Sequence, residues 1–93
     1  MSYTVVVSPQ AGADLMRLDR ATQARVVAKA NALADVPFPP GSKALKGNLQ
    51  GLRRVRVGSY RIAYFVDEAT REVVVTQIGH RSKTYDHLRR RDH

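Results

Sequence analysis

Apolar and basic residues alternate on both sides of Gly58-Ser59. Arg54-Val55-Arg56-Val57 leads in and Tyr60-Arg61-Ile62-Ala63-Tyr64 leads out. A period of two belongs to a strand whose faces meet different surroundings. A glycine-containing dipeptide between two such runs reads as a two-residue hairpin turn, with glycine at the position that needs positive φ. This pairing constrains the chain more than any other feature. It sets Val57 opposite Tyr60, Arg56 opposite Arg61, Val55 opposite Ile62 and Arg54 opposite Ala63. Val55, Val57, Tyr60, Ile62 and Tyr64 then share one face, and Arg54, Arg56 and Arg61 share the other.

Upstream the period is helical. Thr4 to Val7 is a short β-branched run, and Ser8-Pro9 follows as an N-cap with proline in the first helical turn. Ala11, Leu15 and Leu18 recur at helical spacing. Asp19 can cap a second helix whose apolar stripe is Val26, Val27, Ala30, Leu33 and Ala34. Pro37, Pro39, Pro40 and Gly41 end it. Beyond them Leu52 to Val57, Tyr60 to Val66 and Glu72 to Ile78 read as three strands in series, with a longer turn over Asp67 to Arg71. Lys43 to Lys46 reads as a short added extended segment, and Thr84 to Arg91 as a terminal helix or basic tail. The expected architecture is α+β: an N-terminal strand and a helical hairpin packed on one face of a mostly antiparallel sheet, the other face open.

Ninety-three residues predict one domain, 1–93, with a single modest core. The absence of cysteine excludes disulfides, thiolate metal sites and cysteine nucleophiles, and it fits a reducing cytoplasm. No basic leader followed by a long apolar run opens the chain, so the expected location is the cytoplasm. Sixteen Lys and Arg against eight Asp and Glu give a net charge of +8, and twelve of the sixteen lie from Lys43 onward. Such an excess points to an anionic partner, nucleic acid above all. A merely solubilising surface is the alternative.

Two arginines directly across a strand pair repel each other unless an anion sits between them. Guanidinium groups fork onto phosphate oxygens, so Arg54, Arg56 and Arg61 on one sheet face read as a phosphodiester clamp. The other reading is a pair splayed into solvent and screened by salt. After the last strand, Gly79-His80-Arg81-Ser82-Lys83-Thr84-Tyr85 brings more cations to the same edge. A turn pairing Val66 with Glu72 sets Gln77 across from Arg61, and continued alternation carries Arg81 to the arginine face and His80 to the core side. Tyr85 is readable as a base-stacking ring or as packing, and spacing leaves both open. His87 and His93 make no ligand spacing with any acid, so no metal and no cofactor are expected.

Leu45-Lys46-Gly47, the run Gly51 to Tyr64, Gly79-His80-Arg81 and Tyr85 together resemble the RelE/ParE toxin superfamily, over nearly the whole chain. In the RelE-like branch the resemblance implies a ribosome-dependent endoribonuclease that cuts mRNA in the A site by metal-independent attack of the 2′-hydroxyl. Arg61, Arg81, Tyr85 and Arg56 match its catalytic positions, and Arg54, Lys46, Lys83 and Arg53 are the expected RNA-binding residues. The family pattern has lysines where this chain has Arg54 and Arg56. Arginine is a poor general base, so activation of the 2′-hydroxyl falls to Tyr85, His80 or a ribosomal group. The resemblance also implies a RelB-like antitoxin that neutralises the basic face in a hetero-oligomer. The segment Gly51 to Tyr64 fits gyrase-poisoning ParE proteins equally, and a catalytically inactive antitoxin-binding homologue is a third reading.

Overall fold

The computed structural model describes residues 2–47 and 51–80. Strand β1 (Thr4–Val7) leads into helices α1 (Pro9–Met16) and α2 (Arg20–Ala32), followed by strands β2 (Lys43–Ala44), β3 (Arg53–Val57), β4 (Tyr60–Asp67) and β5 (Glu72–His80). Ser8 caps α1 by accepting the Ala11 amide on Oγ at 3.1 Å, with Pro9 in the first turn, where its missing N–H costs nothing. Asp19 is the N-cap of α2 in extended geometry. Its carboxylate closes no cap hydrogen bond of good geometry. The neighbouring Thr22 hydroxyl nevertheless holds it below the ordinary aspartate range, with help from first-turn amides. The expected terminal element at Thr84 to Arg91 lies outside the described residues.

The sheet is five-stranded and mixed, in the order β1-β5-β4-β3-β2. β2 to β5 form an antiparallel meander, while β1 joins β5 in parallel, with Thr4 against Glu72 and Val7 against Val75. A parallel neighbour needs a long crossover, and α1 and α2 belong to the connection between β1 and the meander. The β3–β4 hairpin has the register expected from the sequence, including Arg56 opposite Arg61. Gly58 takes φ +60°, and Ser59 does not share the left-handed region, as in a type II′ turn.

The β4–β5 register corrects the expectation. Asp67, not Val66, faces Glu72, because Asp67 Oδ1 gathers the Ala69 and Thr70 amides and tightens the turn, and Arg71 takes φ 58° to close it. The register then shifts again between Ala63 and Tyr64, where Thr76 is the extra residue and its Oγ1 donates to the Ala63 carbonyl at 3.1 Å. Each shift inverts the faces of β5, and two restore them. Val73 and Val75 therefore face the helices where alternation had Val74 and Thr76. Ile78 and His80 lie on the core side as expected. Gln77 stands across from Ala63 rather than Arg61, and Arg61 faces Gly79.

The core lies between the helices and one sheet face. Ala11, Val26, Ala30 and Leu33 meet Val55, Ile62, Tyr64, Val73, Val75 and Ile78. Val27, assigned to the same stripe, is exposed, since it is turned by one helical step from Val26. Two polar contacts tie the layers together. Tyr64 is fully buried and its Oη donates to the Pro37 carbonyl at 2.8 Å, anchoring the proline loop to the sheet. Asp14 on α1 is also buried, and its Oδ2 accepts the Ile78 amide at 3.0 Å. The β1–β5 ladder stops at Val7 and Val75. Asp14 serves β5 just beyond that point.

Candidate functional site

Arg54, Arg56 and Arg61 share the sheet face away from the helices. Arg54, Ala63 and Gln77 form one row across β3, β4 and β5, and Arg56, Arg61 and Gly79 form the next. The face is not uniformly open: the first row is buried, with Arg54 at 8%, Ala63 at 0% and Gln77 at 6% exposure. In the second row Arg56 is exposed and Arg61 half-buried. The glycine beside Arg61 contributes no side chain, so the floor there is bare backbone. Two guanidinium groups on directly opposed residues place concentrated positive charge above it.

The structure separates the expected residues. Arg54, Arg56 and Arg61 are brought together. Arg53 is on the other face, opposite Tyr64. Its Nη2 donates to Ser42 Oγ at 2.9 Å, and its guanidinium lies 5.0 Å from the Phe38 ring centroid. Arg53 therefore braces the proline loop instead of joining the arginine face. Lys46 is exposed on the chain just after β2. Arg81, Lys83 and Tyr85 lie outside the described residues. His80 pairs with Tyr60 on the core side, the two rings meeting edge-on at 5.8 Å, which takes it off the arginine face.

Sequence reasoning did not single out Gln77 as a row-mate of Arg54, because the bulge that puts it there is invisible to strict alternation. Its buried Oε1 has no hydrogen-bond partner among the described residues. Among the described residues no group of three His, Cys, Asp or Glu comes together as a metal site would require, and no helix is long and apolar enough to cross a membrane.

A different polar group closes the far end of the sheet. Tyr3 Oη donates to Glu68 Oε1 at 2.6 Å, and the Arg71 guanidinium lies 4.2 Å over the Tyr3 ring. The bond to Glu68 raises the Tyr3 pKa above its ordinary value.

The family model for the ParE toxin of type II toxin–antitoxin systems matches residues 5–85. This chain belongs to that family. Two relatives from Mycobacterium tuberculosis extend the likeness. Toxin RelE is 33% identical over 84 residues, covering 89% of this chain and 86% of its own length. Toxin RelG is 35% identical over 86 residues, covering 91% and 98%. Among solved structures, the toxin–antitoxin complex RelBE2 from the same organism superposes with a TM-score of 0.80 at 33% identity, over 87% of this chain and 100% of that one. The archaeal RelE–RelB complex from Pyrococcus horikoshii gives 0.76 at 26% identity, over 89% and 99%. The Escherichia coli RelBE complex shares the fold, with a TM-score of 0.74 at 20% identity over 85% and 96%. Two helices on a five-stranded mixed sheet are thus the architecture of a RelE/ParE-type toxin, and the Arg56–Arg61 pair lies within the matched span.

Proposed function

We propose that this RelE/ParE-family toxin is a ribosome-dependent endoribonuclease that cleaves mRNA in the A site. The observation that carries the reading is the direct opposition of Arg56 and Arg61 on the sheet face away from the core, with Arg54 buried beside them. In the proposed reaction the 2′-hydroxyl oxygen bonds to the adjacent phosphorus and the P–O5′ bond breaks. The products are a 2′,3′-cyclic phosphate and a free 5′-hydroxyl. Negative charge accumulates on the non-bridging oxygens, where fixed guanidinium donors act best. Arg61 and Arg81 take that role, and Arg56 and Arg54 hold the strand.

The 2′-hydroxyl proton must go to a base and the departing 5′-oxygen must gain one. Arg54 and Arg56 stay protonated and serve neither step as a base. His80, edge-on to Tyr60 on the core side, is poorly placed for it, which leaves Tyr85 or a ribosomal group. Lys46 and Lys83 add attraction for RNA. Since the relatives solved as complexes pair with RelB antitoxins, a RelB-like acidic antitoxin is the proposed partner in a hetero-oligomer. The proposed place of action is the cytoplasm, where translating ribosomes are.

The test is primer extension on a reporter mRNA in a reconstituted translation reaction, with the chain and with its Arg61→Ala/Arg81→Ala variant. New stops at A-site codons that vanish in the variant are expected. A second reading, inhibition of DNA gyrase, is favoured by the ParE match. Intact mRNA together with gyrase-linked DNA breaks selects it and overturns the first.

A further inference from the structure

At its outer edge β3 loses its neighbour. The β2–β3 ladder ends at Lys43 opposite Arg54, so Val55 and Arg56 continue along an edge that β2 does not cover. A cleft of about 330 Å³ opens there, lined by Lys29 from α2, Pro40 and Gly41, Lys43, Arg54, Val55 and Arg56. Of the seven described residues that line it, four are cations and none is an acid. Arg54 is more than nine-tenths buried as a residue and still lines the cleft. Cations gathered at one partly enclosed cleft, with no acid in its described lining, favour an anionic occupant.

We propose that the cleft is a second phosphodiester site, distinct from the Arg56–Arg61 pair and engaging the RNA backbone outside the scissile linkage. The inference rests on the ribonuclease reading for its substrate. Arg56 belongs both to the cleft and to the opposed pair, so a polymer with an anion at every repeat spans the two, where a single ion occupies one. The volume lies at the small end of ligand clefts, enough for a phosphate with part of its sugar. An acidic peptide fits less well: among the described lining residues only Val55 and Pro40 are apolar, and a docked peptide draws its affinity from buried side chains. Arg54 supplies the planar fork, while Lys29 and Lys43 act as mobile point charges. The sequence hid the site because Lys29 is isolated in a helix and reaches the edge only through the fold.

The test uses the full chain and a 2′-O-methyl single-stranded RNA 10-mer, which lacks the attacking hydroxyl, with binding followed by fluorescence anisotropy over a salt series. Lys29→Gln/Lys43→Gln is compared with Arg17→Gln/Arg20→Gln, an exposed pair outside the cleft that removes the same charge. The cleft variant should lose affinity roughly tenfold, with the log–log salt slope shallower by about 0.7 for each lost contact. The control pair should change far less. Equal losses in both variants would show a net-charge effect and overturn the proposal, as would an unchanged slope. A loss confined to a ribosomal RNA hairpin probe still supports a phosphodiester site but assigns it to ribosomal RNA instead of message. A loss seen only with a polyglutamate peptide transfers the cleft to an acidic protein and overturns it. No ribosome and no cleavage enter this assay, so its failure and that of the A-site reading are separable.

Discussion

Replacing Asp14 with alanine tests how α1 is fixed to the sheet beneath the arginine face. Asp14 is 9% exposed; one carboxylate oxygen accepts the Ile78 amide at 3.0 Å, while the other takes Gln10 Nε2 at 2.9 Å. Hydrogen bonds to a charged group contribute roughly 1.5–3 kcal/mol, and a buried amide left without an acceptor loses about the same. The Gln10 amide sits on an exposed residue and can turn to water, so only the Ile78 bond is lost outright. Relief of the buried carboxylate's desolvation offsets part of that. The net expectation is destabilisation by about 2 kcal/mol. For a domain of this size it corresponds to a fall in Tm of about 8–16 °C. Thermal unfolding followed by circular dichroism measures it, and amide hydrogen exchange at Ile78 locates it. Asp14→Asn keeps an acceptor oxygen and should recover at least half. If Asp14→Ala melts within about 2 °C of the parent and the Ile78 amide exchanges no faster, the clamp argument is refuted.

Tyr64→Phe removes the hydroxyl bound to the Pro37 carbonyl and should cost about 1 kcal/mol, read as a lower denaturant midpoint; an unchanged midpoint means that the loop needs no such anchor. Gly58→Ala should also cost about 1 kcal/mol, all of it from φ +60°, because the new Cβ would meet the Arg25 guanidinium only at 3.6 Å, an ordinary contact. Arg56→Gln relieves the like-charge pair, so stability should hold or rise by up to about 1 kcal/mol while RNA cleavage drops. A less stable variant in calorimetry would show that the two arginines do not repel. The Tyr3 pKa is raised in the fold above 10.0 by Glu68, so its contribution is full below pH 10.0 and is lost as pH rises through the folded value. Thermal melts between pH 8 and 11 should therefore show a shallower alkaline loss for Tyr3→Phe than for the parent.

Much of this arrangement was legible because the β3–β4 hairpin obeys two local rules at once, strict alternation and a glycine turn. Ser8-Pro9 and Asp19 likewise announced the starts of both helices through their side chains. The β5 strand resisted reading for a physical reason: its register depends on how Asp67 gathers two amides and on one extra residue at Thr76, neither of which alters the hydrophobic pattern in an obvious way. Two compensating shifts left Gln77 on the predicted face beside the wrong partner. Arg53 was hard to read for a simpler cause. A basic residue at a core-facing position looks like another member of a basic run until Phe38 and Ser42 are seen to receive it. Lys29 gave no signal at all, since a single lysine on a helix is the commonest surface residue there is.

The Arg56–Arg61 opposition also makes the fold a reporter of its own occupancy. Whatever bridges the two guanidiniums binds the native state and finds no such site in the unfolded chain, so its concentration enters the folding equilibrium directly. At a ligand concentration a hundred times the Kd the gain is about 2.7 kcal/mol, comparable to a full Asp14 clamp. Purified in a buffer free of polyanions, this chain should therefore be at its least stable, and each phosphate added should raise its melting temperature. Any anion that bridges the pair, a nucleic-acid phosphate or a protein carboxylate alike, exerts the same pull on folding through those two side chains.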